Sequence, residues 1–248
     1  MIQLTFKFFD FKWRKVPCWG LQTETIFRKW YLVRYGDHNV AGLRAFLWDK
    51  TRILEAGCGL GRGSKFFATL NPAASIIAMD QFPDACRVAR RTLSSFLNCA
   101  VVRGDITHFR NLGTFDFISC DQVLHHTPDP VKTLKHIFFK LAPGGILNFS
   151  VCCTKNPLRK AVDDAIMARA RTKTPRELWQ FCVVVARFGQ ALHELKAPLH
   201  FVGKKHPSLQ RFVHQKFFRC WYNSKVGFDL SVSSNYDWFS HNPRYGAT

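Results

Sequence analysis

The chain has 248 residues, enough for one sizeable α/β domain or for one such domain with a large insert. Hydrophobic residues make up 47% of it, an ordinary share for a globular protein. The formal net charge of +19 leaves nucleic acid, anionic lipid and acidic substrates open as partners, although we interpret it first as the solvated basic face of an enzyme.

The sequence predicts a cytoplasmic protein without a transmembrane span or a metal centre. Its first residues carry charges and lack a small-residue cleavage site, which argues against a signal peptide. The most apolar later window, residues 181–192, is short and contains Arg187, so no membrane-spanning helix is expected. The nine cysteines are scattered and form no C-x-x-C pair, which indicates buried free thiols in a reducing compartment.

Residues 1–50 form a segment rich in aromatic side chains, which are expected to be buried against the rest of the chain. Apolar residues at helical spacing predict one helix through residues 26–34 and a second over Val40 to Trp48. We therefore expect an N-terminal helical segment ahead of the first strand.

The stretch from Thr51 to Ser64, TRILEAGCGLGRGS, predicts a strand, a glycine-rich turn and a helix. After the apolar strand comes Glu55 and then a glycine at every second position. These glycines are Gly57, Gly59, Gly61 and Gly63. Such a turn uses positive φ angles and lets backbone N–H groups approach a nucleotide-like ligand.

Two common phosphate-binding patterns do not fit this turn. The dinucleotide pattern G-x-G-x-x-G/A would place Arg62 or Ser64 at its third small position, depending on where the pattern starts. A P-loop ends in Gly-Lys-Ser/Thr, whereas this chain has Gly63-Ser64-Lys65. A nicotinamide-dependent oxidoreductase is therefore disfavoured.

Four further strands are predicted, the last of them at Ile146 to Val151 after a turn at residues 142–145, and polar residues follow several of them. Strand Ser75 to Met79 is followed by Asp80 and Gln81; an acid at this point can accept hydrogen bonds from ribose hydroxyls. A strand at Phe115 to Cys120 delivers Asp121 and Gln122 to the carboxyl edge of the sheet, where ligands of open α/β sheets bind. Strands and helices that alternate in this way predict a doubly wound, mostly parallel sheet.

The pattern E-x-G-x-G-x-G after the first strand resembles the cofactor site of class I S-adenosylmethionine-dependent methyltransferases, in the type 11 branch. The phrases VLHHTPDP and LAPGGIL support the resemblance, which covers about residues 50–151. It implies that S-adenosylmethionine is the cofactor and that the glycine turn approaches its amino-acid and ribose parts. The implied cofactor-binding residues are Glu55, Gly57, Cys58, Gly59, Gly61, Asp80, Gln81, Asp105, Ile106, Asp121 and Gln122.

Within that set, the resemblance assigns Asp105 to the adenine amino group and Ile106 to the face of the adenine ring. It also implies that residues 1–50 lid the cofactor and the substrate, although simple packing onto the sheet explains them equally well. A histidine can act as a base near neutral pH, so His126, and less strongly His125, is a candidate for removing a proton from the methyl acceptor. The alternative is that one histidine caps the following helix and the other packs.

Residues 152–248 depart from the minimal fold of that family. Helices are expected at Asn156 to Arg171 and from Pro175 onwards, with aromatic sequence at Gln210 to Trp221 and around Tyr236. We interpret this basic region as a helical insert for substrate recognition. The final antiparallel strands of the family are expected to be missing, because the sequence is either naturally short or incomplete. The predicted division is thus 1–50, 51–151 and 152–248.

Three functions compete at this point. The first is a methyltransferase for a small molecule or a glycan or lipid precursor. The second is an RNA methyltransferase, suggested by the charge alone. The third is a protein that binds S-adenosylmethionine without transferring its methyl group, since a fold by itself does not choose between these functions. The oligomeric state is not predicted.

Overall fold

The computed structural model describes residues 2–15, 21–35, 39–151, 157–170, 172–194, 221–224 and 226–240. The chain divides into two compact units, one made of residues 3–12 and 154–242 and the other of residues 13–153. The predicted aromatic stretch at residues 210–220 lies outside the described residues, and the three-part division at residues 50 and 151 stays a prediction.

The unit of residues 13–153 is built on a parallel sheet of five strands. The strands are β1 (Arg52–Ala56), β2 (Ser75–Asp80), β3 (Cys99–Arg103), β4 (Phe115–Asp121) and β5 (Leu141–Ser150), in the order β3-β2-β1-β4-β5. Every pairing in this sheet is parallel. The predicted doubly wound α/β fold is confirmed. The strand order reverses between β1 and β4, which is the point at which open α/β sheets bind ligands.

The described residues also form helices, in both units of the chain. They are α1 (Ile2–Lys15), α2 (Leu21–Tyr35), α3 (Val40–Leu47), α4 (Arg62–Leu70), α5 (Pro83–Thr92) and α6 (Pro130–Phe138), followed by α7 (Pro157–Ala170), α8 (Pro175–Glu194) and α9 (Phe228–Phe239). The sequence pattern does not predict α1. In the part of the chain that the structure describes, no helix is both long and apolar enough to cross a membrane.

The central strands β1, β2 and β4 are largely buried on both faces, as parallel strands are when helices cover them. Ile53 and Leu54 are neighbours in β1 and both have no exposed surface. Because successive side chains alternate across a strand, Ile53 joins a cluster with Phe67 and Phe117, whereas Leu54 joins one with Ile118. The central strands are therefore fixed from both sides, and so are the positions of their carboxyl ends.

Strand β5 contains the turn predicted at residues 142–145. Phe115 pairs with Leu141 and Phe117 pairs with Ile146, so the four residues between Leu141 and Ile146 lie opposite one residue of β4. Gly144 has a φ of +75° within this irregularity. The predicted strand from residue 146 thus begins after the shift in register.

The other unit is helical and has its own core. Phe8 of α1, Leu178 of α8 and Tyr236 of α9 are buried in one cluster. The Tyr236 hydroxyl donates a hydrogen bond to the carbonyl of Phe8 at 3.1 Å. Helices α8 and α9 pack against each other more extensively than any other pair of described helices, so α9 closes this core.

Candidate functional site

The glycine turn follows β1 and is shaped by three left-handed residues. Gly57, Gly59 and Gly61 have φ angles of +83°, +52° and +74°. Side chains rarely adopt such angles, so the alternating glycines are explained by the path of the backbone. The N–H groups of Gly57 and Cys58 both donate to the carbonyl of Met79 at 2.8 Å, which ties the turn to the end of β2.

Asp80 links the turn to the loop after β2. Its Oδ2 accepts a hydrogen bond from the N–H of Gly59 at 2.9 Å, and its Oδ1 accepts one from the N–H of Phe82 at 3.0 Å. The residue is buried, with 6% of its surface exposed. Asp80 therefore holds the turn after β1 and the loop after β2 together.

Glu55 holds the start of the helix that follows the turn. Its Oε2 accepts hydrogen bonds from the Ser64 N–H at 2.7 Å and from the Ser64 hydroxyl at 2.5 Å. A Cβ on Gly63 would lie 2.1 Å from Oε1, so a glycine is needed there to let the carboxylate approach. A carboxylate at the N-terminus of a helix also complements the helix dipole.

The environment of Glu55 favours its neutral form. Burial raises the pKa of this carboxyl from 4.5 to about 7, and the negative charges of Asp121 and Asp80 act in the same direction. The two hydrogen bonds from Ser64 lower the pKa but do not offset the burial. Glu55 is thus the acid of the site whose charge changes near neutral pH.

Asp121 ends β4 and is held by three side chains. Its Oδ1 accepts hydrogen bonds from the Tyr35 hydroxyl at 2.9 Å and from the Ser150 hydroxyl at 2.5 Å. Its Oδ2 pairs with Nη2 of Arg34 at 3.0 Å. Arg34 and Tyr35 belong to α2, so this helix reaches the carboxyl edge of the sheet at Asp121. Nothing local in the sequence pairs these residues with Asp121; the only signal is that they end a helix placed ahead of the first strand.

Gln122 directly after β4 has a left-handed backbone. Its φ is +60°, an uncommon angle for a residue with a side chain. The Gln122 N–H donates to the carbonyl of Ser150 at 3.0 Å, and its Nε2 donates to the Ser150 hydroxyl at 2.7 Å. Backbone strain of this kind is found where a fold positions a functional group.

Gln81, Asp105 and Ile106 lie in the loops after β2 and β3. Gln81 is exposed, and its carbonyl accepts a hydrogen bond from Nε of Arg103 at 3.3 Å. The Asp105 carboxylate accepts a hydrogen bond from the N–H of Thr107 at 2.8 Å and so stabilises its own turn. Ile106 is 6% exposed and belongs to the apolar cluster of Leu54.

The loop after β3 is tied to Asp80. The N–H of Gly104 donates to the carbonyl of Asp80 at 3.0 Å, so that Asp105 follows a residue bonded to the end of β2. The structure thus brings the turn after β1, Asp80 and the start of the β3 loop into one hydrogen-bonded group. Asp121 and Gln122 form a second group after β4, on the other side of the point where the strand order reverses.

The two histidines form a single 3₁₀ turn after β4, at Leu124–His126. Their ring centroids are 4.0 Å apart, and both residues are partly buried. Asp129, not a histidine, caps α6, since its side chain accepts a hydrogen bond from the N–H of Lys132. The alternative in which a histidine caps this helix is therefore wrong.

Among the described residues, no cluster of three or more His, Cys, Asp or Glu side chains could hold a metal ion. The prediction that the protein needs no metal stays a prediction.

A parallel sheet in the order β3-β2-β1-β4-β5, with a glycine turn after β1 and an acid at the end of β2, defines the class I methyltransferase fold. A family model described as "Methyltransferase domain" matches residues 47–201, more than half of the chain. The chain therefore belongs to this family of S-adenosylmethionine-dependent methyltransferases, as the sequence pattern predicts.

Individual relatives resemble a smaller part of the chain. An uncharacterized protein from Synechococcus is 40% identical over 117 residues, covering 44% of this chain and 27% of that protein. The ubiquinone biosynthesis O-methyltransferase of Xanthomonas campestris is 34% identical over 104 residues, covering 40% of this chain and 42% of the enzyme. This chain thus spans less than half the length of these curated relatives.

Among solved structures, the N-methyltransferase NodS from Bradyrhizobium japonicum in complex with S-adenosyl-L-homocysteine is 25% identical. The alignment covers 44% of this chain and 57% of NodS, with a TM-score of 0.39.

Proposed function

We propose that this protein binds S-adenosylmethionine at the glycine turn and transfers its methyl group to a small-molecule acceptor, with a glycan or lipid precursor included in that class. When bound, the cofactor supplies a methyl group on a positively charged sulfur, ready for in-line displacement by the acceptor. The protein's part is to align the two and, where the acceptor requires it, to remove a proton.

The hydrogen bond between the Gly59 N–H and the Asp80 carboxylate is the observation that carries this proposal. It joins a turn that needs glycines to an acid at the end of β2, the position from which an acid accepts hydrogen bonds from ribose hydroxyls in open α/β sheets. The proposed binding residues are those of the turn and the strand ends: Glu55, Gly57, Cys58, Gly59, Gly61, Asp80, Gln81, Asp105, Ile106, Asp121 and Gln122.

The roles within this set differ. Asp80 would accept hydrogen bonds from the ribose, and Asp105 with Ile106 would hold the adenine. Glu55 would act indirectly, since its carboxylate already binds Ser64. Asp121 would face the reacting end, because β4 lies across the reversal of strand order from the glycine turn. His126, with His125 beside it, is the proposed base.

The proposal of a small-molecule acceptor is supported by the relatives. Several of them are named ubiquinone biosynthesis O-methyltransferases, from Xanthomonas and from Colwellia psychrerythraea. The match covers less than half of each enzyme, so it supports the class of reaction more strongly than any particular acceptor.

Calorimetric titration with S-adenosylmethionine, S-adenosylhomocysteine and NAD tests the proposal. We expect the first two to bind and NAD not to bind. Asp80→Asn should weaken binding of both adenosyl compounds by about tenfold or more, because hydrogen bonds to a charged group contribute about 1.5–3 kcal/mol. The amide would also turn its NH2 group toward one of the two N–H groups, of Gly59 or of Phe82, that the carboxylate accepts from.

Asp129→Asn is the matched control for this variant. Asp129 caps α6 through a hydrogen bond to the Lys132 N–H, and asparagine caps helices equally well. It should leave both affinities unchanged. Binding of NAD with no binding of S-adenosylmethionine would refute the proposed function. Transfer of a labelled methyl group to an acceptor extract then separates an enzyme from a protein that only binds the cofactor.

A further inference from the structure

The indole of Trp13 lies against the glycine turn. A Cβ built on Gly59 would come within 3.3 Å of Cη2 and 3.4 Å of Cζ2 of this ring. Even a Cβ, which is bonded to the backbone, would already touch the ring at these distances. A ligand atom that is not bonded to the backbone therefore does not fit between the ring and Gly59. The space left open by the missing side chain of Gly59 is therefore taken by an aromatic side chain from the last turn of α1.

A second contact holds the last turn of α1 near the start of α5. Nε of Arg14 lies 3.3 Å from Oδ2 of Asp84, in the first turn of α5. Asp84 also pairs with Arg87 at 2.8 Å. Arg14 thus ties the end of α1 to the start of α5, while Trp13 covers the turn after β1.

Both contacts are of a kind that a ligand can displace. The Arg14 side chain is 59% exposed, and exposed ion pairs contribute little to stability. Trp13 is only partly buried, so its ring can move without opening the core of the sheet.

We infer that Trp13 is a plug: its indole covers the Gly59 side of the cofactor site, and the cofactor must displace it in order to bind. This inference rests on the proposed function, because it takes the glycine turn to be where S-adenosylmethionine binds. Covered and uncovered forms then compete, and the measured dissociation constant equals the intrinsic one divided by the uncovered fraction.

Removing the plug should therefore tighten binding. We expect Trp13→Ala to lower the dissociation constants of S-adenosylmethionine and S-adenosylhomocysteine by about fivefold, which corresponds to an uncovered fraction of about one fifth in the natural protein. Arg14→Gln should also lower both dissociation constants, by a smaller factor. The measurement is calorimetric titration of each variant, with circular dichroism to establish that it is folded.

Trp48→Ala is the matched control, because Trp48 is 77% exposed at the end of α3 and should leave both affinities unchanged. Tryptophan fluorescence gives a second readout. Saturating S-adenosylmethionine should change the emission of the natural protein and of Trp48→Phe, whereas most of that change should be lost in Trp13→Phe.

The outcomes separate this inference from the proposed function. If the natural protein binds S-adenosylmethionine and Trp13→Ala binds it equally well or more weakly, the plug is refuted and the proposed function stands. If neither the natural protein nor Trp13→Ala binds the cofactor, both fail. Tighter binding by Trp13→Ala and by Arg14→Gln supports the plug.

Discussion

Two acids of the site, Glu55 and Asp80, both accept hydrogen bonds from backbone N–H groups, yet they do different work. One oxygen of Glu55 accepts two hydrogen bonds from Ser64 at the start of α4. Asp80 accepts hydrogen bonds from Gly59 and Phe82, in the turn and the loop that border the proposed cofactor site. Glu55 therefore affects the site mainly through stability, and Asp80 mainly through binding.

The stability of the protein should depend on pH through Glu55. Its pKa is raised to about 7 in the folded protein, above its usual value of 4.5. The folded state therefore holds the proton more tightly, so this stabilisation is fully present below pH 4.5 and is lost as the pH rises through 7. We expect Glu55→Gln to reduce the fall in unfolding free energy between pH 5 and pH 8 by about 2 kcal/mol, as measured by urea denaturation at both values.

Glu177→Gln provides the control for that measurement. Hydrogen bonds from Thr174 lower the pKa of Glu177, so this residue stays charged at both pH values and its replacement should not alter the difference. A Glu55→Gln protein that keeps the full pH dependence would show that the carboxyl is not protonated near neutrality.

Local sequence patterns identify only part of the site at this scale. Glu55, the glycines and Asp80 follow apolar runs at fixed spacing, so their positions at strand ends can be predicted. Their protein partners cannot be predicted in the same way. Tyr35 and Asp121 are 86 residues apart, and Trp13 and Gly59 also come from distant elements; no periodicity relates them. Such contacts depend on how the helices pack, which the spacing of residues within one element does not determine.

At the scale of elements, an ion pair fixes α1 against α9 in the helical unit. Nζ of Lys12 lies 2.6 Å from Oδ2 of Asp237. The lysine side chain is 6% exposed, whereas the aspartate side chain is 33% exposed. Burial nevertheless raises the pKa of the Asp237 carboxyl, and its Oδ1 is buried, so each partner would lose the opposite charge in a desolvated place.

Removing either partner of this buried pair should therefore be costly. Asp237→Ala and Lys12→Met should each cost about 3 kcal/mol, because each leaves a buried charge without its opposite charge. Chemical denaturation of the two variants and of the double variant measures these costs, and the double variant should be more stable than either single variant.

The pair Lys65–Glu24 serves as the more exposed control. Its side chains are 34% and 31% exposed, so Glu24→Gln should change stability little. Losses below about 1 kcal/mol from both Lys12→Met and Asp237→Ala would contradict the argument from burial.

The elements themselves differ in how well the sequence predicts them. The central strands are apolar runs buried on both faces and bounded by turns, and the sheet they form is confirmed. Helix α1 is not predicted because its apolar residues from Ile2 to Phe8 alternate with polar ones, a period of two that is typical of a strand. This helix has Phe8 in the core of the helical unit and Trp13 on the glycine turn, so different positions along it are buried for different reasons.

At the scale of the whole molecule, the net charge of +19 has no role in the proposed transfer to a small molecule. Basic residues exceed acidic ones in both halves of the sequence. On the described surface, α5 carries exposed arginines at positions 87, 90 and 91. A surface of this kind attracts polyanions without selecting a sequence, and it is the observation that favours RNA as an alternative acceptor.

The salt dependence of RNA binding separates general attraction from a specific function. Contacts to phosphates release counterions, so a complex with 6–10 such contacts loses about 10³-fold or more in affinity between 50 and 200 mM salt. We expect a labelled RNA hairpin to bind at 50 mM KCl, as measured by fluorescence anisotropy, and to be released at 200 mM. A DNA hairpin of equal length should behave in the same way.

Methyl transfer completes this test. With S-adenosylmethionine labelled on its methyl group, we expect no label in the RNA at either salt concentration, because attraction by scattered surface arginines does not align a base with the cofactor. RNA that stays bound at 200 mM KCl in preference to DNA, and that acquires the label, would make RNA the acceptor. The basic surface would then belong to substrate recognition, and the small-molecule proposal would be replaced while cofactor binding at the glycine turn remained.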